Sequence, residues 1–79
     1  MIGFLRGKIE ILQRPFVLID VNGVGYKVLV SESVYKKLAT NEKIKIFTYT
    51  YVREDALDLF GFLELEDLTL FENLITVSG

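Results

Sequence analysis

Phe16-Val17-Leu18-Ile19-Asp20-Val21-Asn22-Gly23-Val24-Gly25-Tyr26-Lys27-Val28-Leu29-Val30 is the stretch on which the fold turns. Two apolar runs of strand length, rich in Val and Ile, meet at Asn22-Gly23. Asn-Gly is the strongest short hairpin signal, because a two-residue turn that matches strand twist needs positive φ at both central positions. After the turn, Val24, Tyr26, Val28 and Val30 alternate with Gly25, Lys27 and Leu29, the period of a strand with one buried face. Upstream, residues 1–12 carry Ile2, Phe4, Leu5, Ile9 and Ile11, interrupted by Gly3 and Gly7. That pattern predicts a long strand with glycine-permitted bends, and Arg14-Pro15 marks the turn out of it. Residues 1–30 therefore read as a three-stranded meander.

Downstream, Ser31 is placed to cap a short helix, with Glu32 in its first turn and Lys36-Lys37 near its end, where the helix dipole favours each charge. Val34, Tyr35 and Leu38 form its inward side, and Thr40-Asn41 turns the chain back. From Ile44 to Val52 the alternation returns: Ile44, Ile46, Thr48, Thr50 and Val52 on one face, Lys45, Phe47, Tyr49 and Tyr51 on the other. Ala56 to Phe62 makes a fifth strand, joined to the fourth by Arg53-Glu54-Asp55. Three strands, a short helix and two strands is the chain order of the OB-fold, a mainly β, five-stranded Greek-key barrel that often binds nucleic acid or sugar. After Phe62 the period changes. Leu65, Leu68, Phe71, Leu74 and Ile75 recur at helical spacing, with Glu64, Glu66 and Asp67 at the helix start. The expected division is residues 1–62 for the barrel and 63–79 for the opening helix of a second domain. Gly79 is a helix stop signal, so the chain reads as cut short.

The bulk numbers narrow the function classes. Seventy-nine residues, 51% hydrophobic and 25% charged, describe a folded small domain rather than a disordered segment. No apolar run approaches the roughly 18 residues of a membrane span, and Met1-Ile2-Gly3-Phe4 lacks the marks of a signal peptide. With no cysteine, disulfides and thiolate metal sites are excluded, and a cytoplasmic location is expected. With no histidine, the commonest general base and metal ligand is missing. No catalytic site, metal site or cofactor is legible. Gly23-Val24-Gly25 matches neither the dinucleotide fingerprint nor the P-loop. The net charge of −2 conceals an asymmetry: all nine Lys and Arg lie in residues 1–53 and leave that part at +5, whereas residues 54–79 hold seven acids and no base. Such a split favours an electrostatically oriented surface.

Two groups of residues carry candidate chemistry. Glu54-Asp55 occupies the tip of the second hairpin, where a glycine pair is usual. A projecting carboxylate pair there is open to three readings: solvation of a loop, a metal site needing further oxygen ligands such as Asp58, or repulsion of a polyanion. The strand face Lys43, Lys45, Phe47, Tyr49 and Tyr51, with Arg53 beyond it, combines cations and aromatics as single-strand-binding OB-folds do. The same aromatics serve equally for packing, under the terminal helix or against another copy of the chain.

Met1-Ile2-Gly3-Phe4-Leu5-Arg6-Gly7, then Val21-Asn22-Gly23-Val24-Gly25-Tyr26, then Val52-Arg53-Glu54-Asp55-Ala56 running into Leu59-Phe60-Gly61-Phe62, closely resemble the amino-terminal domain of the RuvA family. The resemblance covers essentially the whole chain. It implies an OB-fold and a subunit of the Holliday junction branch-migration complex, an ATP-dependent four-way junction helicase assembly of recombinational DNA repair and the SOS response. Members form tetramers that hold junction DNA open and square-planar. Glu54 and Asp55 match the family's acidic pin at the crossover. Arg53, Lys45, Tyr49 and Tyr51 become candidates for facing DNA or a neighbouring subunit. Main duplex contacts come from helix-hairpin-helix motifs in a second domain, of which Leu68 to Gly79 resembles the opening. The RuvB ATPase and the RuvC resolvase are implied partners of the full-length protein. The other reading of the same residues is an OB-fold oligomerisation module with DNA held by other domains.

Overall fold

A computed structural model of the chain describes the backbone of residues 1–78 and the side chains of residues 1–76. Its elements are β1 (Phe4–Gln13), β2 (Phe16–Val21), β3 (Val24–Leu29), α1 (Glu32–Tyr35), β4 (Lys43–Val52), β5 (Leu57–Phe62) and α2 (Leu65–Ser78). The strands close into a barrel in the order β1-β2-β3-β5-β4. All neighbours are antiparallel except β3 and β5, which pair in parallel through Val28–Leu59 and Leu29–Phe60. This is the OB-fold expected from the chain order. Among the described residues no helix is long and apolar enough to cross a membrane. The helix-stopping role expected of Gly79 lies outside the described residues.

Local chemistry explains each join. Asn22 and Gly23 adopt φ of 52° and 90°, and the Asp20 carboxylate accepts from the Gly23 N–H at 2.7 Å. The Arg14-Pro15 turn has a cis peptide bond. Ser31 Oγ accepts from the Val34 N–H at 3.3 Å, as a cap should. The helix it starts is a single turn, so Lys36 already stands at the C-cap and Lys36-Lys37 follow the helix instead of lying in it. Leu38, just beyond, is buried against the barrel core of Leu5, Ile9, Val17, Ile19, Val28, Ile46 and Leu59.

The first strand departs from simple alternation. Its register against β2 runs Ile9–Ile19 and then Ile11–Leu18, so Glu10 is an extra residue in a β-bulge. The bulge turns Ile11 out to solvent and Leu12 towards the core. Ile2 and Gly3 precede the strand and are tied to β4: Thr48 Oγ1 donates to the Ile2 carbonyl at 2.6 Å, the Ile2 N–H donates to Thr50 Oγ1 at 3.0 Å, and the Thr48 N–H donates to the Gly3 carbonyl at 2.9 Å. These bonds let two threonines sit on the buried face of β4, because a buried hydroxyl is tolerated when it is hydrogen-bonded.

α2 lies across the outer face of β4 and β5. Phe71 is its anchor, with ring centroids 5.5 Å from Tyr49, 5.7 Å from Phe60 and 5.1 Å from Phe62. The cover expected for that aromatic face is thus the terminal helix. The expected five-residue apolar stripe is narrower than its spacing implied. Leu68 is buried and Phe71 and Ile75 are half-buried, whereas Leu65 and Leu74 are exposed. At 100° per residue these two lie about 90° to either side of the Leu68–Phe71–Ile75 seam. A single helix resting on a convex barrel covers only that seam.

Candidate nucleic-acid interface

β4 and β5 pair from Phe47–Phe62 to Val52–Leu57 and continue past the barrel rim. On the inward face of β4, Ile46, Thr48 and Thr50 are buried, but Val52 is 63% exposed and its partner Leu57 59%. The hairpin end therefore overhangs the barrel. Strand β5 begins at Leu57 rather than at the expected Ala56, because Ala56 belongs to the turn: its carbonyl accepts from the Arg53 N–H at 2.8 Å. Residues 53–56 form the tip.

Arg53 does not reach towards the tip. Its Nη2 bonds Asp58 Oδ2 at 2.6 Å, and its guanidinium lies 5.6 Å from the centroid of the Tyr51 ring. Tyr51 and Asp58 are cross-strand partners, so the arginine lies back along one rung of the hairpin. Glu54 and Asp55 are left exposed, with no hydrogen bond or ion pair to either carboxylate among the described residues. Asp58, the carboxylate a metal site would have drawn on, is held by Arg53. Among the described residues no three His, Cys, Asp or Glu side chains converge. The tip is thus an exposed pair of carboxylates on an overhanging hairpin.

The remaining candidates do not join this tip. Tyr49 is edge-on to Phe71 with an interplanar angle of 68°, so its ring is engaged in packing. Tyr51 is exposed at the mouth of a cavity of about 520 Å³ between α2 and the sheet. Lys45 lies at the far end of β4, over the Phe4 ring at 4.7 Å and the Phe47 ring at 5.1 Å. Its surroundings include residues the sequence reading passed over: Arg6, opposite Lys45, and Lys8, opposite Lys43. A signal for them exists in the sequence. Phe4-x-Arg6-x-Lys8 is the mirror image of Lys43-x-Lys45-x-Phe47, as two antiparallel strands with matched outer faces would be.

Comparison with known proteins agrees with this architecture. The family described as RuvA N terminal domain matches residues 1–61. Curated relatives named Holliday junction branch migration complex subunit RuvA include proteins of Halothermothrix orenii, 48% identical over 79 residues, Acetivibrio thermocellus, 41% identical over 80 residues, and Caldanaerobacter subterraneus subsp. tengcongensis, 46% identical over 80 residues. Each alignment takes in all of this chain but only 40%, 40% and 43% of the respective relative. The chain spans about two fifths of the length of the curated relatives it matches.

Proposed function

The chain belongs to the RuvA family, and on that premise we propose that it is the junction-facing part of a Holliday junction branch-migration subunit. In this reading residues 1–62 are the OB-fold domain and residues 63–79 open a helix-hairpin-helix domain that clamps the duplex arms. The protein self-associates as a tetramer in the cytoplasm and, through its remaining domains, works with the RuvB ATPase and the RuvC resolvase. The barrel itself performs no chemistry; it positions the pin.

The observation that carries the reading is the overhanging tip with two unpartnered carboxylates. At a four-way crossover the strands exchange partners and their phosphates crowd together. A carboxylate about 4 Å from a phosphate is repelled by roughly 1 kcal/mol in water and several times more beside low-dielectric protein. Glu54 and Asp55 at that point disfavour a folded, stacked junction and keep strands apart as they move between arms. Because Arg53 is tied to Asp58, no cation at the tip cancels the effect.

The test is Glu54→Gln with Asp55→Asn in the full-length protein, assayed with RuvB for branch migration and by mobility shift on four-way against linear DNA. The double variant is expected to change the migration rate or the junction-to-duplex preference, with oligomer size unaltered. An unchanged rate together with an unchanged preference would remove the pin from the mechanism.

A further inference from the structure

The outer face of the β1–β4 ladder carries charge that the hairpin tip does not explain. Its rungs are Phe4–Phe47, Arg6–Lys45 and Lys8–Lys43, so four cations occupy two successive rungs of one face. Like charges directly opposite each other destabilise a strand pair, and here the arrangement is repeated. The carboxylates nearest it form no ion pair with its cations. Asp20 faces Lys8 from β2 but accepts from the Gly23 N–H at 2.7 Å. Glu42, next to Lys43, accepts from the Ala39 N–H at 3.3 Å. Among the described residues the ion pairs are Arg14–Glu32 and Arg53–Asp58, at 2.8 and 2.6 Å, and neither includes a cation of this face.

Two of the four cations have rings as companions. The Arg6 guanidinium is 5.6 Å from the Phe4 centroid, and Lys45 bridges Phe4 and Phe47. A cation over an aromatic face is attracted without losing its charge. The rings therefore hold the charged heads close to the sheet, beside a shallow groove of about 410 Å³ lined by Arg6, Gly7, Lys8, Lys43, Ile44 and Lys45. A cluster of cations of this kind suits a phosphodiester backbone and carries no sequence preference.

We propose that this face is a second DNA contact, separate from the tip, in which Arg6, Lys8, Lys43 and Lys45 bind the phosphates of a duplex arm. It deepens the junction-binding reading by giving the barrel an attractive surface besides its repulsive one.

Fluorescence anisotropy of a labelled linear duplex titrated with the chain over a series of salt concentrations tests it. Each phosphate contact contributes a slope of about −0.9 in log K against log salt. The Lys8→Gln/Lys45→Gln variant should therefore lower the slope by about 1.8 in magnitude and weaken binding most at low salt. Arg14→Gln/Lys27→Gln removes the same charge elsewhere on the barrel and should leave the slope in place. Equal loss in both variants, no change in either, or no duplex binding by the parent chain overturns the proposal. So does a fall in self-association of the Lys8/Lys45 variant with its duplex slope intact, which would assign the face to the acids of a second copy. A linear duplex has no crossover, so failure here leaves the acidic pin standing.

Discussion

Gly61 is a position at which the barrel interior has no room for an added atom, and Gly61→Ala measures how tightly the wall behind the acidic hairpin is packed. A Cβ built there lies 2.6 Å from Ile46 Cδ1 and 2.6 Å from Val28 Cγ1. Ordinary contact begins near 3.4 Å, so each methyl must retreat by close to 1 Å. Both neighbours are fully buried and cannot rotate into solvent. Overpacking of this kind costs about 1–3 kcal/mol, and two simultaneous clashes place it towards the upper end. The opposing gain, a less flexible unfolded chain, is worth only about 0.4–1 kcal/mol. Packing wins, by roughly 1–2 kcal/mol, which for a domain of this size lowers Tm by about 5–15 °C. Ile46→Val deletes one of the two obstructing methyls. Combined with Gly61→Ala it should be less destabilising than the sum of the single changes, with a coupling of at least about 0.5 kcal/mol. Thermal and denaturant melts of the four proteins in the cycle supply the numbers. If Gly61→Ala melts with the parent, or the two changes simply add, the packing argument is wrong.

Two further substitutions probe the outer faces. Phe71→Ala removes the ring that α2 packs against Tyr49, Phe60 and Phe62. Because a helix of 14 residues is marginal in isolation, the far-UV helical signal should fall and stability drop by about 2 kcal/mol, less than for a fully buried Phe; full retention of both would show that α2 is held by something else. Lys43→Glu converts the Lys8–Lys43 rung from like to opposite charges without removing a ring contact, and should stabilise the chain by about 0.5–1 kcal/mol at low salt. That gain should vanish near 1 M salt, where the screening length is about 3 Å; destabilisation at low salt would mean that the rung is not strained by its charges.

Much of the barrel is legible from local signals because its joins are local. Asn22-Gly23, Ser31 and the alternation of Ile44 to Val52 each state their own geometry within a few residues, and the structure follows them. The failures share a cause of the opposite kind. The bulge at Glu10 arises from fitting β1 against both β2 and β4, so nothing within residues 1–12 announces that Ile11 turns outward. Leu65 and Leu74 satisfy helical spacing, yet how wide a stripe is buried depends on the curvature of what lies beneath. Lys45 stands out on its own strand, but the pairing that gives it Arg6 as a neighbour closes the barrel across some forty residues. Register between distant strands is not written in one sequence; only the mirrored Phe-x-Arg-x-Lys and Lys-x-Lys-x-Phe spacing hints at it.

One strand links the two charged features, and its length bears on how they act together. From Lys43 to Val52 β4 runs nine residue steps, about 30 Å at roughly 3.4 Å each. The screening length at physiological salt is about 8 Å, so the four cations at one end and the two carboxylates beyond the other neither attract nor cancel. Neither end is tied down by an ion pair among the described residues: Asp20 and Glu42 hydrogen-bond within turns beside the cations, and Arg53 pairs with Asp58 beside the acids. Independence is what the proposed junction-binding surface would need. About 34–36 Å of duplex is one helical turn, after which the same backbone strand faces the protein again. An arm leaving a crossover at Glu54 and Asp55 and running along the hairpin would bring phosphates back to the protein close to Arg6, Lys8, Lys43 and Lys45. On the proposed reading, repulsion at the crossover and attraction one turn away would act on the same arm, and together they would favour an arm held extended over one folded back on its neighbour.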